Sequence, residues 1–452
     1  MKNTIRAFVV LCFLGGWATA CSDNTLEEPE VVQQDPDPSN PNDPDGENPQ
    51  DFTPVGTVEM LNSARVDNNL ILVNDAGANR VYLMDKEARL LYEWELTNNI
   101  GNDVVLLPDG RLLASLESDD PQIRFGGKGG RLQFVAPDGT VEWDFLYSSP
   151  DAETHHDIEL LPNGNIIALV WEKRTAQQAL DAGSSVDIDV YPEAVIEVDP
   201  NTNTIVWEWH AWDHLIQEHD PEKANYGSIA ENPGRIDLNY VAEADTWEQP
   251  NGDIMHANAI AYDPVNDAIF ISANFFSEVW VIDHSTTTAE AAGSTGGAYG
   301  KGGDLIYRFG NPEAYRNQAG TRLFHNNHYP NLLRGEDQGK LLIFSNGNDI
   351  NQSTVYELEL PATYALEAGA DNEPQVLWSF TDPDLYSGKV SGAVPLPNGN
   401  ILITEGDFGY WEVTRDKEVV WKFNATGFFW RGYHHNRDAP EIEALGIEVP
   451  NL

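Results

Sequence analysis

Histidine supplies the clearest chemical signal in this sequence. His155 and His156 stand together before Asp157, His256 precedes Ala257-Asn258, and His325 and His328 flank Asn326-Asn327. Near neutral pH an imidazole serves as nucleophile, general acid or base, metal ligand or oxyanion binder. Only Asp157 stands directly beside these clusters as a carboxylate. That weakens the metal reading, because a metal centre draws on several ligands of matched type. Neither a metal nor a cofactor is expected.

Each cluster needs an element to hold it, and those elements repeat. Leu106-Leu107-Pro108-Asp109-Gly110-Arg111-Leu112-Leu113 recurs as Leu160-Leu161-Pro162-Asn163-Gly164-Asn165-Ile166-Ile167 and as Leu396-Pro397-Asn398-Gly399-Asn400-Ile401-Leu402. Every copy reads as a strand, a tight Asp/Asn-Gly turn and a strand. A second phrase follows, an alternating strand, a turn and a strand ending in Trp, as at Trp143, Trp207 and Trp421. Weaker copies close near Trp94, Phe309 and Trp378. Two hairpins per unit and six units between about residues 53 and 430 predict an all-β fold, a six-bladed β-propeller. The tryptophans pack between neighbouring sheets in this reading. The three histidine clusters open the third, fourth and fifth units, and equivalent positions in successive blades converge on the central axis.

The His-His-Asp before a Leu-Pro-Asn-Gly-Asn turn, the phrase from His256 to Pro264 and the repeated Val-Trp endings together resemble bacterial arylsulfate sulfotransferases, over about residues 55 to 440. Members of that family are six-bladed propellers that move a sulfuryl group between phenolic esters without a nucleotide donor, through a sulfated histidine. The resemblance implies a small aryl sulfate and a phenol as partners. It makes His256 and His328 channel histidines, with His156 and His325 as further catalytic candidates. Asn258, Asn348 and Lys389 become candidate substrate-binding residues.

The chain departs from the family pattern at two places. The late blade entry aligned with the sulfated histidine reads Tyr386-Ser387-Gly388-Lys389-Val390-Ser391-Gly392, and the loop aligned with a channel arginine reads Ser345-Asn346-Gly347-Asn348-Asp349-Ile350-Asn351. Lys389 is the expected substitute for the missing charge. These departures motivate an alternative, a non-catalytic propeller that binds an anionic or carbohydrate ligand. Elsewhere, His434-His435 reads as a surface tail closing the last blade, and His210, His214 and His219 as solvated residues of an insertion running to about Gln249. The glycine-rich stretches Gly126 to Gly130 and Gly293 to Gly303 read as flexible connections. A Gly-x-Ser-x-Gly nucleophile elbow is absent from the sequence.

Composition bounds the rest. The 452 residues carry 26 Lys+Arg against 73 Asp+Glu, a formal charge of −47, which excludes binding along a nucleic-acid backbone or to an anionic membrane surface by charge. Lys2 and Arg6 precede an apolar run, and Ala18-Thr19-Ala20 leads to Cys21, the layout of a secretory signal. The small-residue stretch ending at Cys21 resembles the lipobox of bacterial lipoproteins, which implies lipidation of Cys21 and a membrane anchor there. The expected organisation is a signal peptide over 1–20, an acidic disordered tether over 21–52, the propeller over 53–440 and a tail over 441–452. The expected location is the cell envelope, as an outer-membrane-anchored lipoprotein facing the periplasm or the outside.

Overall fold

The computed structural model describes residues 52–243 and 251–450. The signal peptide, Cys21 and nearly all of the tether lie outside the described residues. The described chain forms six antiparallel sheets arranged as a six-bladed propeller, in agreement with the repeat. Blades II to V run in chain order from their innermost strands, Ile100–Leu106, Ala152–Leu160, Ala257–Asp263 and Asn327–Leu332. Blade VI begins with Gly392–Pro395.

Both ends of the propeller are shared across the chain termini. Blade I takes its innermost strand, Phe429–His435, from the end of the chain and its other three from Leu70–Asp75, Arg80–Met84 and Leu90–Trp94. Blade VI gains Thr57–Leu61 as a fifth, outermost strand paired with Val419–Asn424. His434 and His435 therefore end a central strand, which corrects the reading of a surface tail. Sheet pairing with Leu70–Asp75 gives that strand a fixed place where the tail reading gave it none.

The turns show why the repeat takes this form. Gly110, Gly164 and Gly399 sit in the left-handed region at φ of 86°, 87° and 88°, where a hairpin of this kind needs glycine. Buried side chains collect into clusters between adjacent blades. Trp94 lies between blades I and II, Trp207 and Trp209 between III and IV, and Trp421 between VI and I. The innermost strands touch one another around the whole ring, so the side chains they turn inward meet at the axis.

Five of the six innermost strands carry a bulge against their neighbour. Trp430 and Arg431 oppose Asn74 in blade I, and residues 101–103 oppose Ser115 in blade II. His156 and Asp157 are extra in blade III, Asn258 is extra in blade IV, and Tyr329 and Pro330 oppose Ile343 in blade V. A bulge re-aims the side chains at its position. Here it does so at the same place in successive blades, and the buried polar residues of the axis occupy those positions.

Candidate active site

Three imidazoles gather where blades III, IV and V meet the axis. The rings of His156 and His256 lie edge to face with centroids 4.8 Å apart. Trp430 joins the group, with its ring 5.6 Å from His156 and 6.1 Å from His328. His156 and His256 both occupy the left-handed region, at φ of 53° and 51°. Such backbone is uncommon away from glycine and is held only where surrounding structure over-determines it.

Each ring is anchored through Nδ1. His156 Nδ1 meets His155 Nδ1 at 2.8 Å, His256 Nδ1 meets Asp253 Oδ2 at 2.6 Å, and His328 Nδ1 meets Asn346 Oδ1 at 2.6 Å. Among the described residues no hydrogen bond holds any of the three Nε2 atoms. The tautomer of His328 follows from its neighbour. Asn346 Nδ2 donates to the carbonyls of Ser387 and Val390 at 2.9 and 3.1 Å, so its Oδ1 faces the ring and accepts. His328 must then carry its proton on Nδ1 and a lone pair on Nε2.

The electrostatics separate the three rings. Burial, reinforced by the positive charges of His256 and Arg431, pushes His328 down to about 3 against its Asn346 hydrogen bond. Burial also holds His156 well below the usual histidine range, with the neighbouring His256, His155 and His328 adding to it. For His256 burial again opposes charge, but the adjacent Asp253 carboxylate and its hydrogen bond win and raise the pKa. The site thus holds two neutral imidazoles and one that favours its charged form.

Beneath the histidines lies Arg431, only 2% exposed. Its guanidinium forms a fork on Asp157, with Nη1 to Oδ1 and Nη2 to Oδ2 both at 2.8 Å, and lies 3.9 Å over the Tyr329 ring. Asp157 Oδ2 also accepts from the Ile260 amide at 2.8 Å. Asp103 lies 3.4 Å from Arg431 and accepts from the Tyr433 hydroxyl at 2.7 Å, and burial raises it to about 7. Removing one partner of such a buried fork leaves an uncompensated charge, which is strongly destabilising.

The model of the arylsulfotransferase family matches residues 56–431. The chain belongs to the arylsulfotransferase family. Membership supports an arylsulfotransferase-like function in the general sense. None of the curated proteins matches the chain. Solved structures similar to it include the periplasmic gluconolactonase of Pseudomonas aeruginosa, at 12% identity over 79% of this chain and 83% of that one, TM-score 0.38. Another is the dihydro-heme d1 dehydrogenase NirN, at 12% identity over 87% and 81% of the two chains, TM-score 0.33. Likenesses this distant carry no functional argument.

In this arylsulfotransferase-family chain the structure brings His156, His256 and His328 together and leaves the other predicted site residues outside the group. His325 sits with Nδ1 2.7 Å from Asp349 Oδ1. Asn258 is buried and donates to the Asn327 carbonyl at 2.8 Å, so it holds the backbone beside His328. Asn348 is exposed and donates to the Gly388 carbonyl. Lys389 is exposed too, 3.4 Å from Asp407 and 4.5 Å over Phe428. The cation within the histidine group is Arg431, whose place in the sequence, on the closing strand, hid it.

Other expectations are corrected. Gly126 to Gly130 is no loose connection: an added Cβ on Gly127 would fall 2.1 Å from His156 Nε2, so this loop lies directly against the ring. His214 is fully buried rather than solvated, with Nδ1 2.8 Å from Asp304 and Nε2 2.8 Å from the Ala291 carbonyl. His210 contacts Glu172 at 3.0 Å, and His219 is exposed as expected. Sequence reasoning missed Asn346, Asp253, Glu193 and Arg431. In the sequence Arg431 stands in Trp430-Arg431-Gly432-Tyr433, beside the final His-His pair and outside any repeated phrase.

Proposed function

We propose that the protein transfers a sulfuryl group from an aryl sulfate ester to a phenolic acceptor, with His328 as the nucleophile. The observation that carries this reading is the set of three imidazoles, each tied at Nδ1 and free at Nε2, with His328 neutral and its lone pair on Nε2. A nucleophile with a free lone pair and a separate proton carrier are what a two-step transfer requires.

In the first step His328 Nε2 forms a bond to sulfur while the bond from sulfur to the aryl oxygen breaks. The departing aryloxide takes the Nε2 proton of charged His256, whose Nδ1–H stays on Asp253. Positive charge on the sulfated His328 ring is eased by Asn346 Oδ1, which accepts its Nδ1–H. In the second step neutral His256 takes the proton of the acceptor phenol, the phenol oxygen bonds to sulfur, and the nitrogen–sulfur bond returns its electrons to His328. Arg431 is a fixed positive charge beside the path, where a water-poor site strengthens its pull on developing negative charge.

The same proposal tethers the propeller to the cell envelope through lipidated Cys21, with the acidic segment as spacer. The test of function is the mass of the soluble domain after brief mixing with an aryl sulfate, followed by peptide mapping. A sulfuryl adduct on the peptide holding His328, lost in His328→Ala along with phenol-dependent turnover, is the expected result. An adduct on another histidine overturns the nucleophile assignment. Neither adduct nor released phenol overturns the reaction.

A further inference from the structure

Behind His156 lies a second histidine that faces no substrate space. His155 is 1% exposed and stacks on Trp171 with ring centroids 3.8 Å apart and planes 5° from parallel. Its Nε2 lies 2.8 Å from Glu193 Oε2 and its Nδ1 lies 2.8 Å from His156 Nδ1. Glu193 is fully buried, and its other oxygen, Oε1, accepts from the Ala257 amide at 2.7 Å. Glu193, His155 and His156 thus form one chain of hydrogen bonds ending at the free Nε2 of His156.

With both imidazoles neutral, such a chain has only two proton arrangements. Two imidazole nitrogens 2.8 Å apart hold one proton between them. If the Glu193 carboxyl donates to His155 Nε2, then His155 Nδ1–H donates to His156 Nδ1, and the His156 proton must sit on Nε2. If Glu193 is a carboxylate, every bond reverses: His155 Nε2–H donates to Oε2, His156 Nδ1–H donates to His155 Nδ1, and His156 Nε2 is bare. The second arrangement holds one proton fewer, and that proton leaves from His156 Nε2.

We infer that Glu193 and His155 are positioning residues that fix His156 as an Nε2–H donor to the equatorial oxygens of a bound sulfuryl group, and that ionisation of Glu193 switches this donor off. The inference rests on the sulfuryl-transfer reading for its ligand, and on the hydrogen-bond chain alone for its tautomer. A neutral imidazole here gives a donor without a third positive charge beside His256 and Arg431. Three buried groups agree with the first arrangement: burial pushes Glu193 well up, and burial pushes His155 and His156 well down. The charged and titratable groups acting on this chain from neighbouring elements, among the described residues, are Asp253 and His256, Asp157, His328 and Arg431.

The variant Glu193→Gln discriminates. Its amide oxygen can accept from the Ala257 amide while its NH2 donates to His155 Nε2, so the donor arrangement becomes permanent. The expected result is kcat close to the parent at neutral pH and loss of an alkaline fall in kcat that the parent shows. In His155→Phe, which keeps a flat ring on Trp171 and removes both nitrogens, kcat falls about a hundredfold at neutral pH with KM little changed, and the deficit narrows at the alkaline pH where the parent has itself lost the donor. The tautomer is read separately by nitrogen NMR of the substrate-free protein, with His156 identified by its substitution. Protonated Nε2 in the parent and in Glu193→Gln is expected. A bare His156 Nε2, or an alkaline fall that survives Glu193→Gln, overturns the inference. The expected nitrogen pattern without sulfuryl transfer overturns only the reaction.

Discussion

At the residue scale, the group is set by what lies behind each imidazole. Asn346 is a neutral acceptor, so His328 keeps a proton on Nδ1 without becoming charged, whereas Asp253 is an anion and draws His256 toward its charged form. Exchanging the type of partner should exchange the behaviour of the ring. In Asn346→Asp the carboxylate favours imidazolium at His328, so its pKa rises from about 3 and the nucleophile is protonated as pH falls. The expected outcome is an acid fall in kcat that the parent lacks above about pH 5, read from a pH profile. The variant also leaves the Ser387 and Val390 carbonyls without their donor, so its melting temperature should drop. A profile with the parent's shape would mean that His328 is not the attacking ring. The histidines themselves were legible in the sequence because their spacing followed the repeat. Their partners were not, because Asn346, Asp253 and Glu193 come from a hairpin loop, the loop before the first strand of blade IV and the third strand of blade III, with no shared phrase.

At the element scale, the bulged inner strands and one glycine loop place the rings. The alternation of turn and strand made six blades readable, since Asp/Asn-Gly turns and terminal Trp residues are local signals. Bulges are register shifts between strands distant in sequence, and no local signal marks them. The loop at Gly127 combines two demands: φ is +86°, and the space a Cβ would need is taken by His156. Gly127→Ala should therefore cost about 1–3 kcal/mol of stability from the backbone alone and displace the His156 ring as well. The measurement is a melting curve beside kcat; a folded variant with parental kcat would show that this loop leaves ring position alone. Closure of blade I by Phe429–His435 makes a sharper prediction. Ending the chain before Phe429 removes Arg431, leaves Asp157 buried without its partner, and opens the central edge of blade I. Such a chain should fail to accumulate as soluble folded protein. A soluble, cooperatively melting product would refute the view that this strand completes the ring.

At the scale of the whole molecule, buried ionisable groups set how stability depends on pH, and their signs can be followed. His155 and His156 lie well below, and His328 at about 3, so each binds fewer protons folded than unfolded, and stability is lost as pH falls below about 6.5. Glu159 and Glu373, each raised to about 8, and Asp103, raised to about 7, bind more protons folded than unfolded. Their effect is lost stability as pH rises from about 4.5 through those values. His256 and His284, raised by Asp253 and by Glu197 with Asp267 against the cost of burial, act in the same direction above about pH 6.5. The excess of Asp and Glu over Lys and Arg adds repulsion that grows as the remaining protons leave. The two flanks meet, so the melting temperature of the soluble propeller should peak near about pH 6.5 and fall on both sides. Added salt should raise it more on the alkaline flank, where screening relieves repulsion, than on the acid flank, where the cost is protonation of buried rings. A melting temperature that keeps rising to pH 9 would show that the raised carboxyls are ionised in the folded protein. The protonated Glu193 on which the His156 donor depends would then have to be abandoned as well.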